Sequence, residues 1–281
     1  MRIESDLPQN QRAERVRIGA LPVDRLTFSQ ALEAIDELVR RGAGGAVFTP
    51  NVDHVVLAEE NPAFRASYET ASLCLADGMP VVWASRWLGR PVPEKVSGSD
   101  LVGPLMERAA AKKWRVYLLG GAPGIAEKAA AVFRGRGVQV TGVDAPAIHD
   151  PSSAQERAPI VDRIRGAAPH VVLVALGAPK QELFIQYAHA EVDGAVMLGI
   201  GASLDFVAGN ARRAPRWMSE HGLEWCYRLF REPRRLWRRY LVRDPKFFRI
   251  VWRCRREQRR ARDPLTGRRA DLPALQAPGR E

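Results

Sequence analysis

Short, uninterrupted apolar runs alternate with stretches of helical length along most of the chain. The runs lie at residues 46–52, 72–76, 115–119, 138–143, 170–176 and 195–200. Strands that are apolar throughout are buried on both faces, and strands that alternate with helices form parallel sheets covered by those helices. The pattern therefore predicts an α/β fold, with a Rossmann-like, mostly parallel sheet and helices on both faces.

Charge divides the chain into unequal parts. The 281 residues carry a net charge of +11, and residues 211–262 alone hold 18 Lys and Arg against 5 Asp and Glu. We therefore predict a Rossmann-like domain over residues 16–210 and a basic helical appendage over residues 211–262. Residues 1–15 are polar and residues 263–281 are rich in Pro and Gly, so we predict that both termini are disordered.

The basic segment has the pattern of amphipathic helices. At helical spacing, one apolar stripe contains Leu236, Trp237, Tyr240 and Leu241, and a second contains Phe247, Phe248, Val251 and Trp252. Basic helices with aromatic residues on the apolar side are typical of membrane interfaces. A helix that packs on the main domain and an Arg-rich helix that binds nucleic acid have similar compositions. The residues alone leave these three interpretations open.

The sequence has the features of a cytosolic protein. Its first residues contain no apolar core typical of a signal peptide, and no apolar run is long enough to span a membrane. The three cysteines, Cys74, Cys226 and Cys254, are scattered, which indicates reduced thiols. We therefore expect any contact with a membrane to be made from its surface.

Polar or glycine residues follow four of the predicted strands, where open parallel sheets bind their ligands. These candidates are Thr49 and Asn51, Asp77, Gly120 and Gly121, and the group around Gln181. The two glycines stand between a strand and a helix, where backbone N–H groups favour a phosphate. A tight turn without a ligand explains the same glycines, and the turn matches neither the dinucleotide nor the P-loop pattern.

The titratable residues offer one clear candidate. Asp77 follows an apolar run and precedes Gly78, so its carboxylate suits either a general base or a helix N-cap. His54 and Asp53 lie on a predicted helix, where a structural role is the simpler interpretation. The sequence contains no Asp-x-Asp pair, and its five histidines show no ligand spacing. A metal held by carboxylates is therefore not indicated.

These residues resemble the WecG/TagA/CpsF family of bacterial glycosyltransferases, glycosyltransferase family 26. The resemblance covers residues 16–243, and residues 244–281 extend beyond it. Its most specific part runs from Arg213-Ala-Pro215 through Gly222-Leu-Glu-Trp-Cys-Tyr-Arg228 to Arg239-Tyr240. The other matching stretches are Thr49-Pro-Asn-Val-Asp53, Ala76-Asp-Gly-Met-Pro80, Ser97-Gly-Ser-Asp100, Leu119-Gly-Gly121, Leu176-Gly-Ala-Pro-Lys-Gln-Glu182 and Gly199-Ile-Gly-Ala202.

The resemblance implies transfer of a sugar, N-acetylmannosamine or another hexose, from a UDP-sugar to a polyprenyl-diphosphate-linked saccharide. It places this reaction at the cytoplasmic face of the bacterial inner membrane, in the synthesis of cell-surface polysaccharide. It further implies an inverting reaction that needs no metal or cofactor, with Asp77 as the general base. Positions that line the pocket of the family match Thr49, Asn51 and Gln181, and its C-terminal arginines match Arg228, Arg235 and Arg238. Gly120 and Gly121 remain substrate-binding candidates from their place between a strand and a helix.

The resemblance favours a peripheral membrane segment over a simple packed helix, and it leaves nucleic acid out of the expected partners. A segment that leaves the membrane would expose apolar surface, so self-association into a homo-oligomer is a further hypothesis. Two alternatives stay open. A non-catalytic UDP-sugar-binding protein needs the glycine turns but not Asp77, and a basic RNA-binding protein needs the arginines but no strand-end pocket.

Overall fold

The computed structural model describes residues 14–262, apart from the side chains of Arg216, Glu220, Arg235 and Arg262. The disorder predicted for residues 1–13 and 263–281 lies outside this part of the chain. An antiparallel hairpin of β1 (Arg15–Ile18) and β2 (Leu21–Asp24) comes first, so ordered structure begins one residue before the predicted boundary. Gly19 turns the hairpin with a φ of +60°, which favours glycine.

Six parallel strands form the main sheet, and each lies within or beside one of the six predicted apolar runs. They are β3 (Gly45–Phe48), β4 (Leu73–Cys74), β5 (Arg115–Gly120), β6 (Gln139–Asp144), β7 (Val171–Ala175) and β8 (Val196–Gly199). Their order is β4-β3-β8-β7-β5-β6. All their carboxyl ends therefore meet at one edge, and the predicted α/β class is confirmed.

Nine helices connect the strands or follow them within residues 14–210. They are α1 (Phe28–Arg41), α2 (Val52–Glu60), α3 (Pro62–Glu69), α4 (Met79–Trp87), α5 (Gly98–Ala111), α6 (Ile125–Gly135), α7 (Ala154–Ala167), α8 (Lys180–Ala188) and α9 (Ser203–Val207). Thr27 caps α1: its side chain accepts a hydrogen bond from the Gln30 N–H, and the Gln30 side chain accepts one from the Thr27 N–H.

The sheet has a hydrophobic core on each face. Successive residues of a strand point to opposite faces, and neighbours such as Val47 and Phe48 accordingly belong to different buried clusters. Every residue of β3, β7 and β8 is buried, whereas the edge strand β6 is half-exposed. Burial on both faces is the physical reason that these central strands read as continuous apolar runs.

The C-terminal segment, residues 211–262, is helical as predicted. It contains α10 (Arg216–Glu220), α11 (Glu224–Arg231), α12 (Pro233–Trp237), a π helix (Arg238–Arg243) and α13 (Lys246–Arg262). The π helix is marked by the hydrogen bond from the Asp244 N–H to the Arg239 carbonyl, five residues earlier. Within residues 14–262, no helix has the length and apolarity that crossing a membrane requires.

The predicted stripe on α13 divides between two environments. Phe247 and Val251 are buried with Ile250, and α13 packs against α2 and β1. Phe248 and Trp252 instead remain 72% and 56% exposed. Neighbouring positions on a helix point about 100° apart, so one side of the stripe meets the domain while the other remains exposed.

Candidate active site

Asp77 is held at the carboxyl edge of the sheet by its own backbone. Beyond β4, its N–H donates to the Pro50 carbonyl at 3.0 Å, so the chain continues alongside the end of β3. The next residue, Gly78, has a φ of +96° and occupies the N-cap position of α4. Asp77 is therefore not the N-cap, and that structural explanation of the carboxylate is removed.

A pocket of about 370 Å³ opens beside Asp77. One wall comes from the sheet domain and contains Asn51, Asp77 and Lys95. The opposite wall comes from the C-terminal segment and contains Glu224, Trp225, Arg228, Arg239, Tyr240, Asp244, Pro245, Phe247 and Phe248. Since pockets of this size hold small ligands, the two regions together form a candidate ligand site that neither forms alone.

The electrostatics of the pocket centre on Asp77. Burial is the largest cause that raises the pKa of Asp77 to about 7, and the Glu224 carboxylate is the next. Arg228 and Lys95 act in the opposite direction on that pKa. Asp77 is half-buried rather than sealed from solvent. A carboxyl group with a pKa near neutrality in an accessible pocket has the properties of a general base.

The positive charges of the pocket are held by ion pairs. Arg228 is 2.8 Å from the Glu224 carboxylate one turn earlier on α11. The Lys95 ammonium lies 2.9 Å from Asp100 and donates to the Ser219 hydroxyl at 2.9 Å. The last contact ties the loop before α5 to the C-terminal segment. These cations are arranged around a cavity rather than dispersed on the surface.

The three predicted arginines fall in different places. Arg228 lines the pocket, and its pKa is raised, with the Glu224 carboxylate as the largest favourable cause against burial. Arg238 is exposed and lies over the Trp237 ring at 5.4 Å, and it does not line the pocket that contains Asp77. The side chain of Arg235 lies outside the described part of the chain. The assigned roles of all three arginines stay predictions.

Arg239 lines the pocket although it was not a predicted site residue. Its Nε lies 3.3 Å from Asp53, and Arg243 lies 3.1 Å from the same carboxylate. The family resemblance matched the C-terminal arginines to Arg228, Arg235 and Arg238, and it did not single out Arg239. The two arginines also give Asp53 a structural role at the N-terminus of α2.

Four predicted binding residues lie apart from this pocket, along the carboxyl ends of the central strands. The Thr49 hydroxyl is buried, 3.5 Å from the Gly199 carbonyl. The side-chain Oε1 of Gln181 accepts a hydrogen bond from the Gly201 N–H at 3.0 Å. The structure thus brings Asn51, Asp77 and Arg228 into one pocket. It places these four binding residues at the adjoining sheet edge.

Gly120 and Gly121 form the turn at the end of β5. A side chain at Gly120 would come within 2.7 Å of the Ala175 carbonyl, and its φ is +97°. Gly121 donates its N–H to the same carbonyl at 3.0 Å. Close packing against β7 therefore explains Gly120 without a ligand, while phosphate binding by this turn stays a prediction.

Asn51 and His54 have local structural functions. The Asn51 side chain is the N-cap of α2 and accepts from the His54 N–H at 3.2 Å. The His54 ring is buried, with Nδ1 2.8 Å from the Tyr68 hydroxyl, and burial lowers its pKa to about 3. A neutral, enclosed imidazole supports the structural interpretation of His54. Asn51 combines capping with a place in the pocket wall.

Lys95, Glu224 and Tyr240 line the pocket but were not predicted as site residues. Glu224 and Arg228 are four residues apart on a helix, a spacing that indicates an ion pair. The sequence spacing could therefore have indicated Glu224 as a partner of Arg228. Lys95 carried no local signal, because its partner Ser219 is 124 residues away in sequence. Within residues 14–262, no cluster of three or more His, Cys, Asp or Glu side chains could hold a metal ion.

Comparisons with known proteins identify a family and a relative that this chain resembles over most of its length. The sequence model described as the Glycosyl transferase WecG/TagA/CpsF family matches residues 16–261. The match extends beyond residue 243, where the sequence resemblance had been expected to end, and it therefore includes α13. The chain is also 32% identical over 258 residues to the N-acetylglucosaminyldiphosphoundecaprenol N-acetyl-beta-D-mannosaminyltransferase of Bacillus spizizenii strain W23. That similarity covers 89% of this chain and 96% of the relative.

Proposed function

This chain belongs to the WecG/TagA/CpsF family of glycosyl transferases, and we propose that its donor is a UDP-sugar and its acceptor a polyprenyl-diphosphate-linked saccharide. For the sugar we propose N-acetylmannosamine, on the strength of the mannosaminyltransferase that is 32% identical to this chain. The observation that carries the proposal is the Asp77 carboxyl, whose pKa is raised to about 7, in a pocket lined by Arg228 and Lys95.

The proposed reaction is a single in-line displacement that inverts the anomeric carbon. The ionised Asp77 carboxylate accepts the proton of the acceptor hydroxyl as that oxygen attacks the anomeric carbon of the donor. The bond between this carbon and the diphosphate oxygen breaks, and its electron pair leaves with UDP. A pKa near 7 leaves a large fraction of Asp77 ionised at neutral pH, while its basicity exceeds that of an ordinary carboxylate.

Charge develops on the departing diphosphate, and the cations of the pocket stabilise it. Arg228 is suited to this role because a guanidinium makes paired hydrogen bonds to phosphate oxygens and keeps its charge at neutral pH. Lys95 and Arg239 line the same cavity and supply further positive charge. With these cations in place, the reaction as we propose it proceeds without a metal ion. We also propose diphosphate contacts for Arg235 and Arg238.

We propose that the remaining site residues bind the donor. Asn51 is in the pocket wall, and Thr49, Gln181, Gly120 and Gly121 are at the adjoining carboxyl ends of the strands. In this assignment residues 16–210 form the catalytic domain. Residues 211–262 form an appendage that contacts the cytoplasmic face of the membrane, where the lipid-linked acceptor is anchored. Arginines and exposed aromatic side chains such as Phe248 suit that interface.

The test is acceptor-dependent UDP release from a panel of UDP-sugars, with GlcNAc-diphosphate-polyprenol in detergent and EDTA present. We expect turnover with UDP-N-acetylmannosamine, and we expect Asp77→Asn to lower kcat by about 10²–10⁴-fold. UDP binding by the variant, measured by calorimetry, should persist. Equal turnover by Asp77→Asn would remove the general-base assignment. UDP binding without turnover for any donor and lipid-linked acceptor would favour the non-catalytic alternative.

A further inference from the structure

A second cavity, of about 550 Å³, lies beside the pocket between α4 and α13. Five aromatic side chains line it, and one of them, Phe247, is buried. The other four are exposed, and we call the surface that they form the aromatic groove: Trp83 and Trp87 from α4, and Phe248 and Trp252 from α13. Within each pair the residues are four apart, so both members lie on the same side of their helix. The groove is thus a feature of two helix faces rather than of a loop.

The aromatic groove is exposed although it is strongly apolar. Its four aromatic side chains are between 46% and 72% exposed, while Phe247 and Val251 beneath them are buried. Single exposed hydrophobic residues are ordinary, but a contiguous exposed apolar patch indicates a ligand or partner. Packing between α4 and α13 does not explain the four rings, because the buried residues already serve that purpose.

The groove is continuous with the pocket that contains Asp77. Pro80, Phe247 and Phe248 line both cavities. The packing of Trp83 also joins them, since a side chain on the pocket residue Gly222 would come within 2.7 Å of the Trp83 ring. A ligand that extends from the reactive carboxylate can therefore enter the groove over the Phe248 ring.

The two cavities differ in chemistry in the way that the two ends of an amphiphile differ. Lys95, Arg228 and Arg239 line the pocket, which suits a sugar diphosphate. Aromatic and aliphatic side chains line the groove, with Arg249 as its one charged lining residue. A nucleotide donor carries no hydrocarbon to occupy such a surface. A flat bilayer surface does not enter a concave cavity between two helices, whereas a single chain does.

We propose that the aromatic groove binds the isoprenoid chain next to the diphosphate of the lipid-linked acceptor. The proposal rests on the proposed function, because it assumes that the acceptor sugar and its diphosphate occupy the pocket. It adds a lipid subsite made by both regions of the molecule, with Trp83 and Trp87 from the sheet domain and Phe248 and Trp252 from the C-terminal segment. The enzyme then recognises its acceptor by the chain as well as by the sugar.

The experiment measures the affinity of the full chain for two diphosphates, dimethylallyl diphosphate and farnesyl diphosphate. Both probes lack a sugar, and calorimetry in buffer without vesicles or detergent gives the two dissociation constants. We expect the longer chain to bind about tenfold more tightly, which corresponds to roughly 1.4 kcal/mol. Trp83→Ala and Phe248→Ala should each bring this ratio close to one.

Two control variants match these substitutions. Phe230 and Trp217 are 86% and 58% exposed and do not line the groove, so Phe230→Ala and Trp217→Ala should keep the full ratio. Phe248 is 72% exposed, so its removal is not expected to impair folding. If Trp83→Ala unfolds, the affinity ratio of Phe248→Ala for the two diphosphates tests the proposal. Equal affinity of the wild-type protein for the two diphosphates would overturn the proposal.

A sedimentation assay with anionic vesicles separates the groove from a general membrane contact. If Trp83→Ala and Phe248→Ala lose vesicle binding but keep the chain-length ratio in solution, the four rings are a membrane-surface patch and the proposal is wrong. Failure of the proposed function has a different signature. In that case the chain-length ratio and its loss in the variants persist, while the UDP-release assay shows no acceptor-dependent turnover.

Discussion

The interactions that stabilise the sheet domain differ from those that attach the C-terminal segment to it. The sheet domain has a buried apolar core on each face, and its central strands are buried at every position. Within the C-terminal segment, the structure describes every residue of α11 and of the π helix, and none of these residues is buried. This part of the segment attaches through polar contacts, such as Arg243 with Asp53 and Lys95 with Ser219.

The attachment is concentrated on one helix of the domain. Along α2, Asp53 pairs with Arg239 and Arg243, Glu59 pairs with Arg253 and Glu60 pairs with Lys246. Exposed ion pairs contribute about 0–1 kcal/mol each and weaken with salt. The wall of the pocket that carries Asp77 is therefore firm, while the wall that carries Arg228 is held by weak, reversible contacts. The two walls can be tested separately.

Among changes to the weakly held wall, the largest effect is expected from removing the Arg228 guanidinium. Arg228→Gln should lower kcat by about 10²-fold, because a preorganised donor to the departing charge is lost. Arg228 also lowers the pKa of Asp77. The variant therefore raises that pKa and moves the acidic limb of the pH–activity profile to higher pH. UDP release should therefore be measured on the alkaline plateau, where Asp77 is ionised in both proteins.

Arg231→Gln is the matched control for that substitution. Arg231 is on the same helix, but its guanidinium lies over the Tyr227 ring at 5.8 Å and it does not line the pocket. We expect its kcat to equal that of the wild type. Arg228→Lys should recover only part of the activity, since it keeps the charge but not the paired geometry. Equal losses in the Arg228 and Arg231 variants would indicate a general charge effect rather than a site contact.

The two regions also differ in how far the sequence predicts them. In the sheet domain, continuous apolar runs reveal buried strands, and the position of Asp77 after such a run places it at the ligand-binding edge. Those predictions depend on local pattern. In the C-terminal segment the pattern predicted helices and placed Phe247 and Phe248 in one apolar stripe, without indicating which of the two packs on the domain. Which face of α13 meets α2 is a tertiary contact, and the local pattern does not contain it.

The site residues show the same difference between what local pattern predicts and what depends on tertiary contact. Asn51 and Asp77 could be placed together because each follows a strand of one parallel sheet. Lys95 could not, since it lies in a loop whose contact with Ser219 spans 124 residues. The place of Arg239 in the pocket wall had no local signal either, because it depends on the contact between the π helix and α2.

A smaller effect is expected from the acidic residue of the C-terminal wall. Only the ionised Asp77 can accept a proton, so kcat/KM should fall as the pH decreases through about 7, the raised pKa of Asp77. The Glu224 carboxylate helps to raise that pKa. Glu224→Gln should therefore lower the pKa, move the acidic midpoint to lower pH and increase relative activity near about pH 6 roughly fivefold.

Glu224→Asp is the control for this prediction, because it retains the negative charge. Its acidic midpoint should stay close to that of the wild type, even if its kcat changes through the shorter side chain. The comparison uses kcat/KM across the pH range, which reports groups of the free enzyme. A midpoint that is the same in the wild type, Glu224→Asp and Glu224→Gln would mean that the C-terminal wall does not influence Asp77, and the coupling of the two walls would be lost.

The smallest effect is expected from weakening the ion pairs that attach the C-terminal segment to α2. Asp53 is buried and pairs with both Arg239 and Arg243, whereas Glu60 and Lys246 are each 46% exposed at their side chains. Asp53→Asn should therefore loosen the segment and speed tryptic cleavage within residues 211–262 about threefold, the effect of losing roughly 0.7 kcal/mol. Glu60→Gln should leave the cleavage rate unchanged, because its pair is solvated. The sheet domain should resist trypsin equally in all three proteins. If Glu60→Gln loosened the segment as much as Asp53→Asn, total charge on α2 rather than the Asp53 contact would hold the weak wall in place.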